Sequence, residues 1–192
     1  MDPVKQCAQS AIGQLKQLGL TVTMLTGDHP DNAGVIARSV GIEHYEAALT
    51  PQEKYQFINE RHSNGDQTIM VGDGVNDAPA LAAATIGVAM GTGSDVAIET
   101  ANVTLMGGDL QALPYSIRLS RLVLLNIQQN LFLAFFYNAL SIPLAAGILV
   151  PAFGSSWHIS PIVAAAAMSL SSVSVVLNAL RLRTEHISLP SA

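Results

Sequence analysis

An apolar run that ends in a turn rich in glycine and aspartate, residues 68–79, constrains the fold of this chain more than any other segment. Its first four residues have the apolar and β-branched character of a buried strand. Gly72 and Gly74 then permit a tight turn in which backbone N–H groups approach a ligand closely. Pro79 suits the first turn of a helix. The segment therefore predicts a strand, a loop open to a ligand, and a helix.

Three polar side chains give this loop its chemistry. Asp73 and Asp77 bring two carboxylates to the turn, and Asn76 adds an amide. Hard oxygen ligands on a loop, with room for water and a phosphate oxygen, favour Mg²⁺. The alternative is an acidic surface turn or a helix cap, because aspartate, asparagine and glycine are common turn residues. The loop alone leaves both interpretations open.

Two further polar segments follow predicted strands in the same way. The first ends an apolar run and consists of Thr26, Gly27 and Asp28. The second contains Lys54 and comes shortly after a strand expected near residues 45–48. In open parallel sheets, such groups converge at the carboxyl ends of the strands. A hydroxyl, a lysine and a magnesium loop together predict a phosphoryl-transfer site.

Alternating strand and helix signals predict an α/β fold with a mostly parallel sheet and right-handed crossovers. Apolar residues at helical spacing predict a first helix over residues 3–18. Strands are expected at residues 20–25, 45–48, 68–71, 86–90 and 103–106.

Capping signals predict where two later helices begin. Thr50 and Glu53 have the spacing of a capping box, so Lys54 lies in the first helical turn, where a lysine opposes the helix dipole. We expect a bound phosphate to offset that cost. Residues 91–95 resemble a phosphate-binding loop, but a lone Gly-x-Gly is a weak signal. They are predicted to form a turn, with Ser94 capping the next helix.

Charge divides the chain in two. Residues 1–113 contain 5 of the 9 Lys and Arg residues and 13 of the 14 Asp and Glu residues. Such an acidic unit is poorly suited to nucleic acid, and no nucleic-acid partner is expected. The single cysteine excludes an internal disulfide and fits a reducing compartment. Residues 1–113 are therefore predicted to form a cytoplasmic domain.

The apolar residues 114–192 predict a membrane region in contact with the lipid bilayer. Transmembrane helices are expected near residues 128–150 and 161–180, each about long enough to cross a bilayer. Arginines flank only the outer ends of these spans, so the positive-inside rule places both ends in the cytoplasm and residues 151–160 outside. The alternative, two buried helices of a soluble core, would need far more covering protein than this chain supplies.

Three segments resemble the phosphorylation domain of P-type ATPases, a branch of the haloacid dehalogenase-like hydrolases. They are Thr26-Gly27-Asp28, residues 51–54, and the Gly-Asp-Gly-x-Asn-Asp-x-Pro pattern of residues 72–79. The resemblance implies ATP and Mg²⁺ as cofactors. It also implies that the Thr26 hydroxyl and Gly27 hydrogen-bond phosphoryl oxygens, while Asp28 lies near the nucleotide side of the cleft.

The same resemblance implies roles for the remaining site residues. Asp73 would coordinate the Mg²⁺ that bridges to the phosphoryl group, with Asp77 and Asn76 ordering its shell. Lys54 would neutralise charge on an aspartyl phosphate. One departure from the pattern is Thr85, where relatives commonly have aspartate, and its effect is expected to be local.

Four residues of the predicted spans resemble the ion path of copper(I)-transporting heavy-metal pumps. Tyr137 and Asn138 lie in the first span, and Met168 and Ser172 share one face of the second. A thioether is a soft ligand that favours Cu(I) over hard cations. The alternative is that these polar groups serve helix–helix packing. The resemblance implies ATP-driven export of Cu(I) across a bacterial inner or plasma membrane.

The acceptor aspartate of that family lies in an Asp-Lys-Thr-Gly-Thr motif, which this sequence does not contain. The expectation is therefore the C-terminal part of a pump, inactive without its N-terminal part. One alternative is a membrane-tethered phosphatase of the dehalogenase-like type. Another is a truncated, catalytically inactive product that associates with a full-length pump.

Overall fold

The computed structural model of the chain describes residues 3–148, 151, 154 and 161–184. The chain forms two compact units, and the boundary between them lies between Ser116 and Ile117. The assignment of a phosphorylation domain and a membrane region to residues 1–113 and 114–192 stays a prediction.

The first unit alternates short strands with helices, as the sequence predicts. Its elements in chain order are α1 (Pro3–Gln17), β1 (Thr23–Leu25), α2 (Pro30–Val40), β2 (His44–Glu46), α3 (Pro51–Ser63), β3 (Ile69–Gly72), a 3₁₀ turn (Val75–Asp77), α4 (Ala78–Ala83), β4 (Ile86–Met90), α5 (Asp95–Thr100) and β5 (Val103–Leu105).

All strand pairs of this unit are parallel, which confirms the predicted α/β class. β1 pairs with β2, and β3, β4 and β5 form a second sheet in that order. In the described part of the chain, β1 and β3 are not paired, so there are two sheets where a single one was expected. The carboxyl ends of β1 and β3 lead directly into the two predicted site loops.

The hydrophobic core of this unit connects the two sheets through the helices. One buried cluster contains Ile58, Met70, Ala80, Leu81, Ala89 and Ala97, which come from α3, β3, α4, β4 and α5. Leu25 at the end of β1 packs against the same cluster. Small residues allow close approach here, since a Cβ at Gly87 would lie 2.5 Å from the Leu81 carbonyl oxygen. This packing holds the ends of β1 and β3 on one body.

Two strands end or begin differently from the prediction. β2 stops at Glu46, and Ala48 has a left-handed φ of 55°. The Ala48 N–H donates to the Asp28 carbonyl at 2.8 Å, so it is used in a loop contact rather than in a strand ladder. β1 covers only the last three residues of the predicted 20–25 run.

The Thr85 departure lies at the opposite end of the sheet from the predicted site. The Thr68 N–H donates to the Thr85 hydroxyl oxygen at 3.1 Å, and the Thr85 N–H donates to the Thr68 hydroxyl oxygen at 3.3 Å. The threonine hydroxyl therefore supplies the acceptor that a carboxylate would offer. Its contacts are local.

The second unit contains α7 (Pro161–Thr184) and most of α6 (Ala112–Ala145), whose first five residues belong to the first unit. Within the described residues, only α6 is long and apolar enough to cross a membrane, as judged by length and composition. The predicted two-helix transmembrane hairpin is therefore not confirmed and stays a prediction. α6 ends at Ala145, two residues after Pro143, although the span was predicted to continue to 150. Most of the predicted 151–160 loop lies outside the described residues.

A cluster of amide side chains joins α6 to α7. Asn178 donates from Nδ2 to Asn130 Oδ1 at 2.8 Å and to Gln129 Oε1 at 3.4 Å. Asn126 Nδ2 donates to the Asn178 carbonyl oxygen at 2.8 Å and accepts at Oδ1 from Asn130 Nδ2 at 3.0 Å. Every interhelical hydrogen bond of this cluster therefore involves Asn178, through either its side chain or its backbone carbonyl.

We expect Asn178→Ala to weaken the second unit by about 1 kcal/mol, because interhelical amide hydrogen bonds contribute about that much in an apolar environment. The measurement is equilibrium unfolding of the whole chain in detergent, followed by circular dichroism. Ser174→Ala is the matched control, because the Ser174 hydroxyl bonds the Leu170 carbonyl of its own helix. Equal stability of the two variants would contradict the prediction.

Candidate active site

The turn after β1 is held by its own side chains. The Thr26 hydroxyl oxygen accepts from the Asp28 N–H at 3.1 Å, and the hydroxyl donates to Asp28 Oδ2 at 3.0 Å. The Thr26 N–H donates to the Glu46 carbonyl at 3.0 Å, which extends the β1–β2 ladder by one bond. Gly27 and Asp28 are exposed, so this turn presents a hydroxyl, backbone and a carboxylate at the carboxyl end of β1.

The loop between β2 and α3 supports that turn from the side. The Leu49 N–H donates to the Thr26 carbonyl at 3.0 Å, and the Ala48 N–H reaches Asp28 as described above. A Cβ at Gly27 would lie 3.3 Å from the Leu49 carbonyl oxygen. The turn is therefore fixed by backbone contacts that a larger residue at Gly27 would crowd.

Lys54 is placed by the capping box of α3, which the structure confirms. The Thr50 N–H donates to Glu53 Oε2 at 2.7 Å, and the Glu53 N–H donates to the Thr50 hydroxyl oxygen at 3.3 Å. From the first turn of α3, Lys54 Nζ reaches Asp77 Oδ1 at 2.8 Å. Their side chains are only 15% and 13% exposed.

This ion pair is the contact that the sequence did not predict. Lys54 was expected to face a phosphate and Asp77 to order a magnesium shell. In the structure, each is the partner of the other, and the pair accounts for a lysine in the first turn of a helix. It also fixes the loop after β3 to α3.

The two glycines of the loop after β3 have different surroundings. A Cβ at Gly72 would lie 2.7 Å from Asp77 Cβ, so only glycine leaves room for this aspartate. A Cβ at Gly74 would meet nothing closer than Asp77 Oδ2 at 3.7 Å, an ordinary contact distance. Gly72 is required by the packing of Asp77, whereas Gly74 leaves open space beside the carboxylates.

Asp73 is the carboxylate that remains available. It is exposed, and among the described residues no hydrogen bond or ion pair engages its side chain; Asn76 beside it is exposed too. The described residues contain no group of three His, Cys, Asp or Glu side chains that could enclose a metal ion. One or two carboxylates with open space suit Mg²⁺, which keeps several waters and shares its ligands with a phosphate. The donor set therefore fits Mg²⁺.

The segment after β4 forms a turn, as predicted, and its Gly91, Gly93 and Ser94 N–H groups are already used within the protein. The Gly93 N–H donates to the Met90 carbonyl, and the Ser94 N–H donates to the Asp73 carbonyl, both at 2.8 Å. The Ser94 hydroxyl oxygen caps α5 by accepting from the Ala97 N–H at 3.3 Å. The sequence revealed the turn and the cap, but not the contact with Asp73.

The four residues of the predicted ion path lie on α6 and α7. Tyr137 is half-buried, with its ring edge against Phe136 at 6.3 Å between centroids. Asn138, Met168 and Ser172 are exposed. The Ser172 hydroxyl donates to the Met168 carbonyl at 3.3 Å within α7. Among the described residues, no hydrogen bond links the α6 pair to the α7 pair.

Fold and site together define a class of protein. Parallel strands whose carboxyl ends carry a threonine turn, a lysine and an aspartate loop match the haloacid dehalogenase-like hydrolases, whose sequence profile matches residues 1–85.

The particular family follows from individual relatives. A silver-exporting P-type ATPase of Salmonella typhimurium is 52% identical over 186 residues, which cover 97% of this chain and 22% of the relative. A copper-exporting P-type ATPase of Vibrio cholerae is 50% identical over 187 residues, covering 97% and 20%. The crystal structure of a zinc-transporting PIB-type ATPase is similar, with a TM-score of 0.76 and 36% identity over 90% of this chain and 27% of that one.

The chain is thus homologous to the heavy-metal P-type ATPases, as the sequence motifs predicted. It spans 20–22% of the length of the two curated relatives named above.

We expect Gly72→Ala to destabilise the first unit by about 1–3 kcal/mol, because the added methyl group overpacks against Asp77. Gly74→Ala should change stability by less than about 0.5 kcal/mol, because its methyl group meets open space. Thermal unfolding of both variants measures the difference. A Gly72→Ala protein as stable as Gly74→Ala would contradict the packing described for Asp77.

The capping box predicts a pH dependence. Hydrogen bonds from the Thr50 backbone and then the Thr50 side chain hold the pKa of Glu53 below its ordinary value of 4.5. A lowered carboxyl pKa adds stability above about pH 4.5 that is lost as pH falls through the folded-state pKa. The free energy of unfolding, measured between about pH 3 and 6, should therefore fall less steeply with decreasing pH in Glu53→Gln than in the wild-type chain. An unchanged slope would show that the charge of Glu53 contributes nothing.

Proposed function

We propose that this chain is part of an ATP-driven heavy-metal pump that exports Cu(I) through an aspartyl-phosphate cycle. The observation that carries the proposal is the pairing of Lys54 with Asp77 beside the exposed carboxylate of Asp73, at the carboxyl ends of parallel strands. Homology to copper- and silver-exporting ATPases supports the same class. The proposed catalytic residues are Thr26, Gly27, Asp28, Lys54, Asp73, Asn76 and Asp77.

Each site residue has a proposed task in phosphoryl transfer. Thr26 and Gly27 hydrogen-bond phosphoryl oxygens, for which the Thr26 hydroxyl turns away from Asp28. Lys54 supplies positive charge to the phosphoryl group, and Asp77 holds its ammonium group in place. Asp28 faces the nucleotide side. Preorganised charge of this kind stabilises the transition state without reorganisation during the reaction.

Mg²⁺ is the proposed cofactor of the loop after β3. When bound, the ion neutralises negative charge on the phosphoryl oxygens. Asp73 would hold it with a carboxylate oxygen, while Asn76 would orient water in its shell. Asp77, already paired with Lys54, would help to order that shell.

The phosphate acceptor is proposed to lie on a segment outside this sequence. No Asp-Lys-Thr-Gly-Thr occurs among its residues. The separate β1–β2 and β3–β4–β5 sheets support this proposal, because a strand inserted between β1 and β3 would bring an aspartate between Thr26 and Asp73. Covalent catalysis without that acceptor has no nucleophile.

The second unit is proposed to span the bilayer twice and to carry the ion path. Its transmembrane helices would leave residues 1–113 and the C-terminus in the cytoplasm, where ATP and Mg²⁺ are present. Tyr137, Asn138, Met168 and Ser172 would line the path of the transported ion. The thioether of Met168 favours Cu(I), or the chemically similar Ag(I), over Zn²⁺.

The proposal is tested with a chimera in which this chain replaces its homologous segment in the Vibrio cholerae copper-exporting ATPase. We expect Cu(I)-stimulated ATP hydrolysis in proteoliposomes, reduced at least about 100-fold by Lys54→Ala or Asp73→Ala. Ser174→Ala is the matched control and should retain activity. Stimulation by Zn²⁺ that survives Met168→Ala would refute the copper assignment.

The isolated chain separates the pump from the membrane-tethered phosphatase. Phosphate release from ATP and from a simple phosphomonoester, with Mg²⁺, should not exceed that of Asp73→Ala. Release that Asp73→Ala abolishes would reveal a nucleophile within this sequence and favour the phosphatase. An inactive chimera together with an inactive chain would favour the truncated product that only associates with a pump.

A further inference from the structure

The loop after β4, residues 91–94, contacts the backbone of Asp73 but is not itself part of the proposed magnesium site. We call these residues the support loop. We infer that the support loop holds Asp73 in position, and that Gly93 and the backbone N–H of Ser94 thereby set the affinity of the site for a divalent cation. The inference rests on the proposed Mg²⁺ role of Asp73 and assigns positioning residues to it.

A single hydrogen bond carries the contact. The Ser94 N–H donates to the Asp73 carbonyl at 2.8 Å, at the residue where the chain leaves β3. Asp73 lies beyond the last β3–β4 ladder pair, which joins Gly72 to Ala89. The next backbone constraint on Asp73 therefore comes from the support loop. Fixing a ligand residue at this point limits the directions in which its carboxylate can project.

Close packing makes the contact rigid. A Cβ at Gly93 would lie 2.5 Å from the Asp73 carbonyl oxygen and 3.0 Å from Asp73 Cα. It would also lie 2.9 Å from the Met90 carbonyl oxygen. Backbone lines that space on both sides, so no rotamer change can relieve the crowding. Glycine is required at this position because the support loop and the Asp73 backbone are in van der Waals contact.

The support loop is itself anchored on its far side. The Gly91 N–H donates to the Leu105 carbonyl at 2.8 Å, so the loop is tied to the end of β5. The Ser94 hydroxyl caps α5. The loop therefore connects Asp73 to β5 and to α5. Outer contacts that orient a metal ligand typically change metal affinity about 10- to 100-fold when they are lost.

Two substitutions remove the contact in different ways. Ser94 has φ −72° and ψ 149°, a backbone conformation that proline adopts. Ser94→Pro removes the N–H and places a ring carbon toward the Asp73 carbonyl. Its reference is Ser94→Ala, which also loses the hydroxyl cap but keeps the N–H. In Gly93→Ala, the added methyl group clashes with the Asp73 backbone.

Gly91→Ala is the matched control for Gly93→Ala. A Cβ at Gly91 would lie 2.8 Å from the Leu105 carbonyl oxygen, a comparable clash in the same loop that does not touch Asp73. Comparing the two alanines separates pressure on Asp73 from general distortion of the loop.

The measurement is Mn²⁺ binding to the whole chain in detergent, with Mn²⁺ as an oxygen-preferring probe whose free concentration is read by electron paramagnetic resonance. We expect Ser94→Pro to bind Mn²⁺ about tenfold more weakly than Ser94→Ala, and Gly93→Ala about tenfold more weakly than Gly91→Ala. Cooperative thermal unfolding of each variant is required for the comparison. If one variant fails to fold, the other pair decides.

Asp73→Ala distinguishes failure of this inference from failure of the proposed site. Loss of Mn²⁺ binding in Asp73→Ala, with unchanged affinity in both Ser94→Pro and Gly93→Ala, overturns the support role and leaves the cation site standing. Wild-type binding in Asp73→Ala overturns both.

Discussion

The ion pair between Lys54 and Asp77 is the interaction on which the geometry of the site depends. It connects the first turn of α3 to the loop after β3, with both side chains largely removed from water. A charge left alone in such a position would be costly, so each group keeps the other in place. Gly72 makes the pair possible, because Asp77 occupies the space that a Cβ there would need. Asp73, four residues before Asp77, keeps an exposed carboxylate.

Both site loops are fixed by the same kind of contact, a backbone hydrogen bond from a neighbouring loop. Each leaves the end of a strand, and each is hydrogen-bonded by the loop that follows the neighbouring strand: Leu49 bonds Thr26, and Ser94 bonds Asp73. Parallel pairing brings this about, because neighbouring strands end at the same edge of a sheet and their outgoing loops lie side by side. A backbone contact fixes a loop without using the side chains that a substrate needs.

The second unit shows a different balance of forces. An amide cluster around Asn178 joins α6 to α7. The Met168 and Ser172 face of α7 remains exposed, as does Asn138 on α6. Amide groups in an apolar environment favour helix pairing, because an unpaired amide there is costly. Pairing through Asn178 therefore does not bury Asn138, Met168 or Ser172.

The sequence by itself determined the elements and their chemistry. Glycine, proline and capping residues act over a few neighbours, so the α3 capping box, the Ser94 cap and the order of strands and helices could be predicted. The motifs around Asp73 also identified the family. The predicted end of β2 was wrong at Ala48, whose N–H bonds the Asp28 carbonyl in a loop contact instead of joining the strand ladder.

Only the tertiary structure decided which groups meet. The Lys54–Asp77 pair spans 23 residues, the contact of Ser94 with Asp73 joins two loops, and the Asn178 bonds to α6 span up to 52 residues. Local sequence patterns do not predict contacts between residues so far apart, because such contacts depend on strand pairing and on helices packing into a shared core. The sequence specified which chemical groups the site contains. The fold decided that one carboxylate neutralises the lysine and that the other stays exposed.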